Sequence, residues 1–324
     1  MKVIVSYKIP EAGLKELREN FELSLNEKGR FLSEEEMISK VGDADALVCL
    51  GTEKIDKEIM DAGKRLKIIA NYAVGYNNID VDYATKKDIM VTNTPGVLTE
   101  TTADLTWALL MAIARRIVEG DGLTRAGKFT GWKPDLLLGS DIHGKTLGIV
   151  GFGRIGQAVA KRASGFDMKV LYHDVRPVAQ EIEQAYKATY VDLDTLLKQS
   201  DFVSLHVPLT DSTYHLMDEG KLALMKPTAY LINAARGPVI DEQTLVKVLK
   251  ERKIAGAALD VYEKEPELSP GLSELDNVVL VPHLGSATQQ TRGAMSQIVA
   301  ENVIAALSGE NPPNLVNKEL LRKV

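Results

Sequence analysis

Three apolar, strand-like runs in the second half of this chain each end on a residue able to bind an anion or move a proton. The first, Leu231-Ile232-Asn233-Ala234-Ala235-Arg236-Gly237, ends on an arginine. A planar guanidinium can bond a carboxylate and an adjacent carbonyl at once, so it suits a 2-oxo acid. The second run, Leu259 to Pro266, offers three acids, Asp260, Glu263 and Glu265, and spacing alone does not choose among them. The third, Val278 to Ser286, puts His283 just past an apolar strand and Pro282, a good position for an acid or base.

A fourth segment points to a phosphate-bearing cofactor. Gly151-Phe152-Gly153-Arg154-Ile155-Gly156 directly follows the strand Leu147–Val150 and opens a helix. Gly151 permits the tight turn, Gly153 lets backbone approach a pyrophosphate, and Gly156 lets helix and strand pack closely. The first N–H groups of the helix then face the dianion. Asp174, at the end of the next strand, lies 18 residues beyond Gly156. There it would accept hydrogen bonds from a ribose and repel a 2′-phosphate, so NAD is the expected cofactor. Arg176 would reach a 2′-phosphate if the loop bent that way, which leaves NADP open.

The elements that must position these residues alternate along the chain. Strand-like runs at Lys2–Ile9, Ala46–Leu50, Leu66–Val74 and Ile89–Asn93 are separated by helical patterns at Glu11–Phe21, Ser33–Val41, Asp56–Ala62 and Asp80–Lys87. Ser33 with Glu36 forms a capping box at the start of the second helix. One long helix is expected from Thr101 to beyond Val118. Irregular chain follows from Gly120 to Ser140, a domain boundary or an oligomerisation arm. A second array then begins at Gly144, with strands at Thr146–Val150, Lys169–His173, Asp201–Val207, Ala229–Asn233, Gly256–Val261 and Val278–Pro282. Helices are expected within it at Arg154–Gly165 and Asp192–Gln199, and a closing amphipathic helix at Ala287–Leu307. Alternating β and α elements predict parallel strands with helices on both faces.

Together with Gly151–Gly156, the segments Asn233–Gly237, Leu259–Pro266 and Pro282–Ser286 resemble the motifs of the D-isomer-specific 2-hydroxyacid dehydrogenases, over essentially the whole chain. The resemblance implies a catalytic trio of Arg236, Glu265 and His283, with Asp260 and Glu263 as supporting residues. It implies that a turn within Asn71–Asp80 holds the substrate carboxylate through backbone amides of Val74 and Gly75, a use to which glycine turns are suited. Cofactor contacts are implied at Gly151, Gly153, Arg154, Ile155, Gly156, Asp174, Arg176, Pro208, Ala234, Asp260 and His283.

The fold implied is α/β, with two doubly wound parallel-sheet domains. A Rossmann NAD-binding domain (99–286) would be inserted in a flavodoxin-like substrate domain (1–98 plus 287–324). Within the family the likeness is to glyoxylate and hydroxypyruvate reductases, carried by Asn71–Asp80, Thr92–Gly96 and Phe129–Gly139. In such enzymes a loop like the one at Trp132 reaches into the partner's active site of a homodimer, so Trp132 would shape the substrate pocket. Plain packing accounts for Trp132 equally well. His283 as imidazolium would give its proton to the substrate carbonyl oxygen, stabilised by Glu265, while Arg236 orients the acid. D-3-phosphoglycerate dehydrogenase and a corepressor-like NAD(H)-binding protein are the alternatives. Many of the former carry a C-terminal regulatory domain, whereas this chain stops soon after its final helix.

Composition narrows the partners. The 324 residues are 45% hydrophobic and 26% charged, with net charge −6, which gives no reason to attract nucleic acid or anionic lipid. The single cysteine, Cys49, lies in an apolar run and reads as core. Histidines at 143, 173, 206, 215 and 283 show no metal-binding spacing, so no metal is expected. The longest apolar stretch, Leu105–Ala114, is far short of the ~20 residues of a membrane span. Met1 runs directly into a strand without a signal-peptide pattern. A soluble, cytoplasmic enzyme acting on a small molecule is the expectation.

Overall fold

The computed structural model describes residues 1–321. In chain order its elements are β1 (Lys2–Val5), α1 (Glu11–Asn20), β2 (Glu22–Leu25), α2 (Glu34–Val41), β3 (Ala46–Leu50), α3 (Lys57–Ala62), β4 (Ile68–Tyr72), α4 (Val81–Lys86) and β5 (Met90–Thr92). Next come α5 (Thr99–Ala114), α6 (Ile117–Arg125), β6 (Thr146–Val150), α7 (Arg154–Ala163), β7 (Lys169–His173), α8 (Gln180–Tyr186), β8 (Ala188–Tyr190) and α9 (Leu193–Gln199). The last are β9 (Phe202–Leu205), α10 (Glu219–Leu222), β10 (Tyr230–Asn233), α11 (Glu242–Lys250), β11 (Gly256–Leu259), β12 (Val278–Leu280) and α12 (Gln289–Ser308). The chain divides into two compact units, one formed by Met1–Leu98 and the segment from Ala287 onward, the other by Thr99–Ser286.

The first unit holds a five-stranded sheet in the order β2-β1-β3-β4-β5, parallel throughout. This is the flavodoxin-like order. Alternate side chains feed two cores: Val3 and Val5 join one, Ile4 the other. Helix α12 returns to this unit and packs on α1 so tightly that a Cβ on Gly13 would lie 2.0 Å from the Ser296 carbonyl oxygen. Ser296 Oγ in turn accepts the Gly13 amide at 3.1 Å. The predicted capping box is formed at α2, Ser33 bonding the Glu36 amide and Glu36 the Ser33 amide.

The second unit is built on a seven-stranded parallel sheet, β12-β11-β10-β9-β6-β7-β8. Its order doubles back between β6 and β9, as in a Rossmann fold. Leu147, Ile149, Tyr230 and Ile232 face one core, Val150, Leu205 and Leu231 the other. Both faces are covered by helices, as a sheet of apolar parallel strands requires.

Local pattern and structure part at several places. The single helix expected from Thr101 past Val118 is two helices, because Arg116 turns left-handed at φ +54°. The returning loop causes the break: Ser140 N takes the Ala114 carbonyl at 2.8 Å, and Gly139 fits so closely that a Cβ would lie 2.3 Å from that oxygen. Helix α6 also extends into the stretch expected to be irregular. Strands β2 and β8 and helices α8, α10 and α11 are absent from the elements that local pattern predicts. No helix among the described residues is long and apolar enough to cross a membrane.

Candidate active site

Parallel register lines up one edge of the larger sheet. His173 pairs with Val150, Val150 and Asn233 with Leu205, Asn233 with Leu259, and Leu259 with Leu280. Every chemistry-bearing residue that the sequence marks in this unit, Trp132 excepted, follows that row on the carboxyl side. Gly151 comes after β6, Asp174 after β7, Pro208 after β9, Ala234 and Arg236 after β10, Asp260 and Glu265 after β11, and His283 after β12. Ligands of open parallel sheets bind beyond such an edge, next to the strand-order reversal.

At the reversal, the glycine turn divides into two kinds of position. Gly151 has φ +93°, and a Cβ there would lie 2.7 Å from the His206 carbonyl carbon. A Cβ on Gly156 would lie 2.2 Å from the Gly151 oxygen. The fold itself therefore demands glycine at both. A Cβ on Gly153 would meet no protein atom within 4 Å, so the open space there suits a ligand lying against bare backbone. Gly153 is the N-cap of α7 without a side-chain cap, and the next amides, of Arg154, Ile155 and Gly156, lack intrahelical acceptors by helix geometry. These are the features that a pyrophosphate needs. Asp174 is tied to the same turn, accepting the Phe152 amide at 2.7 Å and the Val175 amide at 2.7 Å. Arg176 is exposed.

The His206 carbonyl borders Gly151, and the strand signal before it gave no hint of a role. Its Nε2 lies 2.8 Å from Ser204 Oγ, and its Nδ1 is buried with no partner among the described residues. Burial pushes the imidazole down to about 4, so it is neutral at pH 7.

His283 Nδ1 lies 2.9 Å from Glu265 Oε2. Glu265 Oε1 accepts the Tyr262 amide at 3.1 Å, which fixes the carboxylate relative to its own turn. Burial raises the Glu265 pKa, but the His283 hydrogen bond and charge, the Tyr262 amide and the Arg236 charge outweigh it and hold the group below its ordinary value. Spacing could not separate Glu265 from Asp260 and Glu263; hydrogen bonding does. Asp260 is buried, and its carboxylate accepts the amides of Leu284 and Gly285, while its carbonyl accepts the His283 amide at 3.0 Å. Burial raises it to about 6 against those amides and the His283 charge. Asp260 thereby holds the His283 backbone at φ +53°, an uncommon conformation for a histidine.

Arg236 leaves β10 through a turn shaped by Asn233, whose Nδ2 donates to the Arg236 carbonyl at 2.9 Å and whose Oδ1 accepts the Ala235 amide at 3.0 Å. Its Nη1 donates to the Ala235 carbonyl at 2.7 Å. Burial lowers the guanidinium pKa and the Glu265 charge works against that, so the two groups sense each other. Gly237 is packed so that a Cβ would lie 1.9 Å from the Tyr262 carbonyl, locking the arginine loop to the Glu265 turn.

That turn is also clamped from α11. The buried Glu242 accepts the Glu263 amide at 2.9 Å and the Ser269 amide at 2.8 Å, and Glu263 accepts the Glu242 amide at 3.1 Å. His215 Nε2 completes the clamp 3.0 Å from Glu263 Oε1. Glu242 had no local signal because a helix-start glutamate is ordinarily solvated. Val74 and Gly75 lie in the first unit, just after β4, and Trp132 lies after α6 with 83% of its surface exposed. Among the described residues no group of three His, Cys, Asp or Glu could hold a metal.

A carboxylate-backed imidazole and a guanidinium, set on the carboxyl edge of a dinucleotide-binding sheet, are the equipment of a nicotinamide-dependent dehydrogenase. The chain belongs to the D-isomer-specific 2-hydroxyacid dehydrogenase family, whose NAD-binding domain matches residues 107–285. It is 53% identical over 324 residues to a glyoxylate reductase of Thermococcus onnurineus, covering 99% of this chain and 97% of that protein. A crystal structure of a Thermus thermophilus protein superimposes with a TM-score of 0.92 at 45% identity, covering 98% of this chain and 100% of that one. An NADPH-dependent glyoxylate/hydroxypyruvate reductase from Sinorhizobium meliloti, solved with NADP and malonate, gives a TM-score of 0.88 at 33% identity, covering 100% of this chain and 98% of its own.

Proposed function

We propose that this enzyme reduces glyoxylate to glycolate, or hydroxypyruvate to its D-2-hydroxy acid, with NADH. The observation that carries the reading is the His283–Glu265 pair beside Arg236, on the same sheet edge as the glycine turn. Bound nicotinamide supplies a hydride to the carbonyl carbon of the substrate. His283, as imidazolium, gives its proton to the carbonyl oxygen, and Glu265 stabilises the cation beforehand. Arg236 bonds the substrate carboxylate and carbonyl, and offsets negative charge developing on oxygen. The amides of Val74 and Gly75 hold the carboxylate. Asp260, with Leu284 and Gly285, keeps His283 in place.

The residues that hold the cofactor are Gly151, Gly153, Arg154, Ile155 and Gly156 at the pyrophosphate, Asp174 at the ribose, and Pro208 and Ala234 along the sheet edge. Asp174 favours NADH, since its carboxylate would repel a 2′-phosphate; Arg176 is the nearby residue that would temper this. A homodimer and a cytoplasmic location complete the reading. Support for the dimer comes from exposed apolar side chains along α6 and the following arm, Ile117 (58%), Phe129 (52%), Trp132 and Leu138 (67%).

NADH and NADPH oxidation with glyoxylate, hydroxypyruvate, pyruvate and 3-phosphohydroxypyruvate tests the assignment. Fast NADH turnover on either of the first two is expected. Preference for the phosphorylated acid, or no turnover on any, would overturn the substrate assignment, and NADPH preference would overturn the role of Asp174. Sedimentation at the 35.5 kDa mass of one chain, rather than twice it, would overturn the dimer.

A further inference from the structure

The turn after β4 shows how amides can be aimed before any ligand arrives. Three successive carbonyls in it are each held by a donor from elsewhere in the first unit. Ala73 O accepts the Thr94 amide at 2.9 Å. Val74 O accepts Asn93 Nδ2 at 2.8 Å, and Gly75 O accepts Asn71 Nδ2 at 2.9 Å. Asn71 is fully buried and is itself fixed by Asn78, whose Oδ1 lies 3.1 Å from the same Nδ2. Asn78 in turn donates to the Leu50 and Glu53 carbonyls at 3.1 and 3.0 Å.

A trans peptide unit carries its N–H and its C=O on opposite sides. Holding Ala73 O therefore points the Val74 N–H the other way, holding Val74 O does the same for Gly75, and holding Gly75 O for Tyr76. The amides of Val74 and Gly75 find no acceptor among the described residues. Without the donors, a rotation of one peptide plane would exchange N–H for C=O and turn a repelling oxygen toward an anion. Unpaired N–H groups of successive peptides are what an anion-binding turn needs.

We propose that Asn93 is a positioning residue for the substrate carboxylate, acting through the Val74–Gly75 peptide plane. The inference rests on the assignment of that turn to carboxylate binding. Asn93 touches neither substrate nor cofactor in this reading and works only by fixing which face of the turn carries the Gly75 N–H.

The variants that test it are Asn93→Ala and Asn93→Leu, the second keeping the branched shape of asparagine while removing the donor. Oxalate, a dicarboxylate that cannot be reduced, is titrated by calorimetry into the NADH-loaded protein, alongside KM and kcat for glyoxylate. Expected are rises of about tenfold in the oxalate Kd and in KM, the scale of one charge-assisted hydrogen bond weakened. The change in kcat should be smaller and the NADH Kd unchanged. An oxalate Kd within about twofold of wild type in either folded variant overturns the proposal. So does parallel loss of NADH and oxalate binding, because that reports general damage. Oxalate binding needs no turnover, so a wild type that binds oxalate but reduces neither acid defeats the substrate assignment, while the tenfold rise in oxalate Kd in the variants still supports this inference.

Discussion

His283 and Glu265 meet through one hydrogen bond, and the chemistry asked of each differs. His283 exchanges the proton; Glu265 only makes the protonated imidazole more favourable. His283→Gln should therefore lower kcat by about 10²–10⁴-fold, the usual worth of a general acid, with a far smaller change in NADH affinity by fluorescence titration. Glu265→Gln should be milder, and its effect should depend on pH. The carboxylate is held ionised below its ordinary pKa, so wild type keeps the negative charge throughout the neutral range. Losing that charge should move the basic limb of the reduction pH profile to lower pH. A profile displaced upward, or a His283→Gln enzyme with ordinary turnover, would contradict this division of labour.

At the level of elements, the glycine turn and the clamp from α11 make separable demands. Gly151→Ala forces a side chain into a positive-φ position against the His206 carbonyl, so the fold should lose about 3 kcal/mol or more. Gly153→Ala meets no protein atom and should melt close to wild type without cofactor. Its NADH Kd should nonetheless rise about tenfold or more, because the methyl group stands where the pyrophosphate approaches. Equal thermal losses in the two variants would refute this division. Glu242→Ala strands two amides of the Glu265 turn in a buried place, at a cost of about 2–4 kcal/mol. Denaturant titration should show that loss together with a fall in kcat, since the same turn carries Glu265.

For the whole molecule, the buried imidazole of His206 couples folding to pH. The folded protein takes up that proton only near pH 4, whereas the unfolded chain takes it up near 6.5. Between those values the unfolded state binds more protons, so stability rises with pH across the window and is lost as pH falls through it. Melting temperatures from pH 4 to 7 should climb more steeply in wild type than in His206→Gln. Matching slopes would show that the imidazole is already protonated in the folded state.

Much of this was legible in the residues because the signals are local. Alternating apolar runs and helical periods predict parallel α/β units, and the doubled-back strand orders of both sheets follow that pattern. Gly151, Gly153 and Gly156 announce themselves because strand, turn and helix are contiguous, and Ser33 with Glu36 announces a helix start for the same reason. Glycine at 151 and 156 is demanded by backbone contacts a few residues away or across one strand. Other features depend on atoms far apart in the chain. The break at Arg116 comes from Ser140 capturing the Ala114 carbonyl, which no helix propensity records. Spacing left three nearby acids open, the family resemblance named Glu265, and its bond to His283 supplies the physical reason; recognising Glu242 required the amides of Glu263 and Ser269. Asn71 and Asn93 look like ordinary strand-end residues until the carbonyls of Gly75 and Val74 are found against them. Periodicity and turn chemistry act over a few residues, so the chain alone determined most of its core strands, its fold class and its cofactor turn. Hydrogen-bond partners are chosen when those elements pack, so only the tertiary structure decided how Glu242 clamps the Glu265 turn and what aims each amide.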